Sequence, residues 1–137
     1  MSESDCIFCK IIQGKIPAQK LFENDHVLAF LDINPLSEGH FLVVPKTHAE
    51  RFHQANLEEL EEVMTVLHKI AIALEVEDYN ILQNNGRVAH QAVPHVHFHL
   101  IPKTTKTGLR FTWSPNEVSD ARMSAVEEKI RENLQST

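Results

Sequence analysis

A chain of 137 residues is one domain's worth of polypeptide, and 42% hydrophobic with 23% charged residues excludes disorder as its main state. Thirteen basic against nineteen acidic residues leave a net charge of −6, which argues against nucleic acid as a partner. No run of about 18 apolar residues occurs and Met1–Asp5 is acidic rather than signal-like, so no membrane attachment and a cytosolic or nuclear setting are expected.

Near the start, Cys6 and Cys9 form a Cys-x-x-Cys pair, which in a reducing compartment points to metal or redox chemistry more than to a structural bridge. Lys20–Glu23 and His26–Leu31 alternate loosely around Asn24-Asp25 and predict an antiparallel hairpin with a two-residue turn. After the loop Asp32–Gly39, the apolar run His40–Val44, closed by Pro45, predicts a third strand. Between Asn56 and Val76, Leu57, Leu60, Val63, Met64, Leu67, Ile70, Ala71 and Leu74 recur at helical steps; Asn56 is the expected cap, with Glu59 completing a capping box. Tyr79–Gln83 predicts a fourth strand, Asn84-Asn85-Gly86 a turn, and His95–Ile101 a fifth strand ended by Pro102. Met123, Val126, Ile130 and Leu134 mark a C-terminal helix over Ser119–Leu134, capped by Ser119. Five strands and a long helix make the fold class α+β.

The chain holds nine histidines where average usage gives about three. Three of them, His95, His97 and His99, occupy every second position of the fifth predicted strand. Period two sets their imidazoles on one face and Val96, Phe98 and Leu100 on the other. The outer two are about 13 Å apart along an ideal strand, too far to share one zinc ion with bonds of about 2 Å. β-propensity and packing give no reason for three imidazoles on one face, so the row reads as a site rather than as core.

The row, His95-Val96-His97-Phe98-His99-Leu100-Ile101, resembles the His-x-His-x-His signature of the histidine triad nucleotide-binding superfamily. The flanking blocks Asp5–Ile12, Ile16–Ala18, Ala29–Ile33, Gly39–His48 and Asn84–Gly86 are similar to those of its Hint branch, in order, over about residues 5 to 103. The resemblance implies a single domain over 1–137, with a five-stranded antiparallel sheet and a divergent extension from 104. It also implies a homodimer, and hydrolysis of adenosine 5'-monophosphoramidates and aminoacyl adenylates through a nucleotidyl-histidine on His97. His99 would then support the phosphate oxygens and His95 would orient the row; a neutral imidazole is nucleophilic near pH 7 without a metal. The ligand would be a purine nucleoside monophosphate or phosphoramidate. Ile7, Phe8, Ile11, Ile16, Phe30 and Ile33 would line its base pocket, Asp32 would accept from the ribose hydroxyls, and Asn84 and Gln91 would contact the phosphate. Taken singly, the apolar positions read equally as core and Asp32 as a turn residue.

Cys6 and Cys9 admit three states. One is a structural zinc ion with His48 and His95 as the further ligands the resemblance implies; the others are free thiols, or a disulfide, which a reducing compartment disfavours. Two positions depart from the branch: Ala92 stands where many relatives carry a serine or threonine hydroxyl, and His90 where many have glycine. Phe111-Thr112-Trp113 reads as core or dimer packing, with an influence on the leaving group as the other reading. Close alternatives in function are a dinucleoside polyphosphate hydrolase, a nucleotide-binding scaffold with vestigial catalysis, and a metal-binding module.

Overall fold

Loop residues cut the chain into five strands: β1 (Lys20–Glu23), β2 (Val27–Leu31), β3 (Phe41–Pro45), β4 (Tyr79–Gln83) and β5 (Phe98–Pro102). The computed structural model, which describes residues 3–136, joins them in one sheet of order β1-β2-β3-β5-β4, every pair antiparallel. With helices α1 (Ile7–Ile12), α2 (Leu57–Leu74) and α3 (Asp120–Gln135), this is the α+β architecture expected.

Alternation along β2 and β3 feeds two separate cores. Val27, Ala29, Phe41 and Val43 point with Val96, Phe98 and Leu100 toward Leu60, Val63, Val66 and Leu67 of α2. Leu28, Phe30, Leu42 and Val44 point the other way, onto Cys6, Phe8, Cys9 and Ile11. Both faces of the central strands are therefore covered, and each fully buried aliphatic side chain contributes about 1.5–3 kcal/mol. The sheet's second face, under α1, is where the histidines lie.

Three local expectations are corrected. The β1–β2 connection spans three residues, Asn24 to His26, closed by Asn24 N–H to the Val27 carbonyl, and the Asn24 carboxamide oxygen accepts from the backbone N–H groups of His26 and Val27. Asn56 does cap α2 by accepting from the Glu59 N–H at 3.0 Å, but there is no capping box: the Glu59 carboxylate accepts from the Thr47 N–H at 3.0 Å and hydroxyl at 2.9 Å. This buried glutamate fastens the loop after β3 to α2. Third, β5 starts at Phe98, so His95 and His97 precede it. Their stretch bonds elsewhere, Val96 N–H donating to the Ala49 carbonyl at 2.8 Å, and stays extended enough to keep the alternation of faces.

Helix α1 is not predicted by periodicity. It has six residues and its N-cap is Cys6, whose sulfur accepts from the Cys9 N–H at 3.4 Å. After β5 the chain is tied back by Lys103 N–H to the Asp78 carbonyl and by Gly108 N–H to the Leu36 carbonyl before running to α3. Ser119 caps α3 as expected, yet the helix buries no residue and leaves Met123, Val126 and Ile130 at least half exposed. Phe111 and Trp113 are not core: their rings stack at 5.7 Å with Trp113 80% exposed, because the segment runs outside both cores.

Candidate active site

The three histidines of the row have three different environments. His95 is fully buried and its Nε2–H donates to the Pro45 carbonyl at 2.8 Å, which leaves Nδ1 as a lone pair. That Nδ1 lies 3.4 Å from Cys6 Sγ, 3.6 Å from Cys9 Sγ and 3.2 Å from His48 Nδ1, while Cys9 Sγ is 3.4 Å from His48 Nδ1. A tetrahedron with zinc–ligand bonds of about 2.0–2.3 Å has edges of about 3.3–3.8 Å. The four side chains thus match the dimensions and the donor types of a zinc site, and the His95–Pro45 hydrogen bond fixes the tautomer that turns Nδ1 toward the other three. Neither cysteine is in a disulfide. Burial, with Cys6 beside it, pushes the Cys9 thiol up to about 12, the direction a cation among the four would reverse.

His97 is nearly buried, and its Nδ1–H donates to the His95 carbonyl at 2.7 Å, which leaves the Nε2 lone pair free. The Phe8 ring meets it edge-on at 5.0 Å and fixes its plane. Burial lowers the basicity of His97 below the ordinary imidazole value, with the His95 hydrogen bond and Asp32 opposing, so the ring is neutral at pH 7.

At the far end, the Leu36 N–H donates to His40 Nδ1 at 3.0 Å. His40 therefore carries its proton on Nε2 and donates it to His99 Nδ1 at 2.9 Å, with an Asp32 carboxylate oxygen 3.4 Å away. His99 in turn carries its proton on Nε2. Burial first, then His97 and His40, press His99 down to about 4, so the chain of imidazoles is neutral and its donor direction is set by one backbone N–H. His95 and His99 fall into separate clusters, as the strand spacing requires.

Two cavities meet at Ala92, His97 and His99. The smaller, about 320 Å³, is lined by Ile7, Phe8, Ile11, Ile16, Phe30, Ile33 and Asp32, all residues that the sequence suggests for a nucleoside pocket. Asp32 also serves its turn: one oxygen accepts from the Asn34 N–H at 2.8 Å. The larger, about 720 Å³, holds Asn84, His90, Arg110, Phe111 and Trp113. Gln91 lines neither cavity; its carboxamide accepts from the Gly86 N–H and donates to the Glu50 carbonyl, both at 2.7 Å. It shapes the loop rather than facing a ligand.

The sequence places His40 only at the start of the third predicted strand and Glu59 only in a capping box, so neither is expected in these contacts. The surplus of histidines was one signal for His40; the other is that His40 and Leu42 share a face of the third strand, and Leu42 pairs with His99. For Glu59 the helix N-terminal position offered a sufficient explanation and hid the tertiary one.

Comparison with known proteins places this arrangement. The model of the HIT domain matches residues 13–106. The adenosine 5'-monophosphoramidase of Schizosaccharomyces pombe is 46% identical, the match spanning 94% of this chain and 98% of that one. The adenosine 5'-monophosphoramidase of Saccharomyces cerevisiae is 42% identical over 97% and 85%. Among solved structures, the histidine triad nucleotide-binding protein from Candida albicans superposes with a TM-score of 0.88 at 42% identity, covering 96% of this chain and 99% of that one.

Proposed function

This chain belongs to the HIT domain family, and from that premise we propose that it is an adenosine 5'-monophosphoramidase, a hydrolase of P–N bonds, as its fungal relatives are named. The observation that carries the reading is the state of His97: one nitrogen is committed to the His95 carbonyl and the other is a free lone pair where two cavities meet. The adenosine occupies the smaller, apolar pocket, its ribose hydroxyls donating to Asp32. Its phosphorus then stands at the junction and its amine in the larger cavity.

His97 Nε2 attacks phosphorus, the P–N bond breaks, and a nucleotidyl-histidine replaces one difficult displacement by two easier ones. Water then releases the nucleoside monophosphate. His99 Nε2–H and the Asn84 carboxamide donate to the non-bridging oxygens, where a fixed donor in a dry site is most effective. Aminoacyl adenylates fit the same chemistry with a carboxylate leaving. The nucleophile is already neutral, so this step requires no metal ion.

Cys6, Cys9, His48 and His95 would hold a structural zinc ion, which when bound supplies a crosslink between the first turn of α1, the loop after β3 and the start of the histidine row. His95 thus orients the row from outside the reaction. Homodimerisation is supported by β4, an open edge strand whose Tyr79 and Ile81 are exposed, beside exposed Met64 and Ile72 on α2. Two buried cysteines outside any disulfide suit a cytosolic or nuclear setting.

Steady-state turnover of an adenosine phosphoramidate tests the reading. His97→Ala is expected to lower kcat at least about a thousandfold with its fold intact. Equal turnover by wild type and variant would remove the nucleophile.

A further inference from the structure

The departing amine needs a proton, and the residue that gives it is not supplied by the groups already assigned. Ala92, at the junction of the cavities, has no side-chain donor. The His97 Nδ1 proton is held by the His95 carbonyl. The His40 and His99 protons belong to a buried relay of neutral rings aimed at the phosphate oxygens. Arg110 does not deprotonate. Of the described residues that line the larger cavity, one imidazole remains, His90.

Its backbone is unusual. His90 ends the 3₁₀ turn Arg87–Ala89 at φ 67°, ψ 26°, in the left-handed region where glycine is free of the steric cost a β-carbon carries. The conformation is enforced: the His90 N–H donates to the Arg87 carbonyl at 3.0 Å, its carbonyl accepts from Asn84 Nδ2 at 3.2 Å, and Gln91 next to it is anchored at both ends. A side chain at a position built for glycine points from strain toward function. His90 lines the larger cavity with His97 and is absent from the walls of the apolar pocket, so it stands on the leaving-group side. It is exposed to solvent.

We propose that His90 is the general acid that protonates the leaving amine, taking the place of the hydroxyl absent at Ala92; the inference rests on the phosphoramidase reading. In the first step the imidazolium of His90 gives its proton to the bridging nitrogen as the P–N bond breaks and the His97–phosphorus bond forms, so a neutral amine departs. In the second, neutral His90 takes a proton from the attacking water as the His97–phosphorus bond breaks, which restores both histidines. Imidazole is suited to both halves at neutral pH. The ionisable and charged groups around it are His40, His97, His99 and Arg110 across the cavity and Arg87 on its own turn.

The test compares two substrates that differ in whether the leaving group needs a proton: an alkylamine phosphoramidate of adenosine and the nitrophenyl ester of the same nucleotide, which departs as a phenolate. His90→Gln and His90→Gly are expected to lower kcat/KM for the amine by about 10²–10³-fold and to change kcat/KM for the ester, which reports only the steps up to departure of the phenolate, by less than about threefold. Imidazole added to the solvent restores part of the amine activity of His90→Gly. Thermal unfolding of His90→Gly, at a position that favours glycine, is expected no lower than wild type. Equal loss of kcat/KM on both substrates, or no loss on the amine, overturns the role of His90. Failure of the wild type to become adenylated by either substrate would instead overturn the phosphoramidase reading.

Discussion

The two ends of the histidine row use one side chain for opposite purposes. At the His95 end, a backbone carbonyl takes the Nε2 proton and turns Nδ1 toward two sulfurs and a second imidazole, a set of electron donors with no partner acid. At the His99 end, a backbone N–H sets His40 Nδ1 as acceptor, and the protons run outward through His40 to His99. One end collects lone pairs and the other delivers a proton, and His97 lies between them with its own lone pair free. The identity of the backbone group at each end decides which task the imidazole performs.

Breaking the His95 end is expected to have the largest effect, on stability rather than on chemistry. Zinc chelation, or Cys9→Ala, is expected to remove more than about 3 kcal/mol of unfolding free energy, because the four ligands join three segments of the chain. Denaturant unfolding with and without chelator checks it, and identical midpoints would mean that no ion is held there.

Breaking the His99 end acts on catalysis. His40→Ala frees His99 to exchange tautomers and turns off the directed donor, so kcat is expected to fall about tenfold to a hundredfold with KM little changed. A fall in KM affinity alone would make His40 a binding residue instead.

Glu59→Gln sharpens the contrast from outside the row. The carboxylate holds two donors of Thr47, next to His48, and the amide replaces one acceptor by a donor. A loss of about 1–3 kcal/mol in unfolding free energy is expected, with the rate of phosphoramidate turnover per folded molecule preserved.

A pH dependence of stability specific to the His99 end is also expected. His99 is pressed from an ordinary 6.5 to about 4, chiefly by burial, with His97 and His40 adding and Asp32 opposing. The unfolded chain binds this proton first, so its contribution to stability is complete above pH 6.5, declines as pH falls, and levels off below about 4. Urea unfolding across that range, with His99→Gln as control, is expected to show the slope in wild type and a weaker one in the variant.

What the sequence made legible follows the range of the interactions involved. β4 is read to the residue because loop chemistry bounds it on both sides, and α2 is read through its apolar stripe and Asn56 cap. The strand expected at His95–Ile101 starts three residues before β5 because alternation survives in extended backbone that bonds to a loop instead of to β3. α1 escaped because one and a half turns show no period and cysteine is an uncommon cap. Residues 6 and 95 stand 89 positions apart, a distance no local pattern spans; only the resemblance joined them. The left-handed backbone at His90 and the hydrogen bonds that occupy Gln91 are tertiary facts without a sequence signature.

The most direct test of the account is the mass of the enzyme itself during turnover. Acid-quenched reaction mixtures, digested and mapped, are predicted to carry one adenylyl group on the peptide that spans Pro94 to Lys103, fragmenting at His97. An adenylyl group on any other residue, or full turnover with none detected at saturating substrate in a trapped reaction, would contradict it.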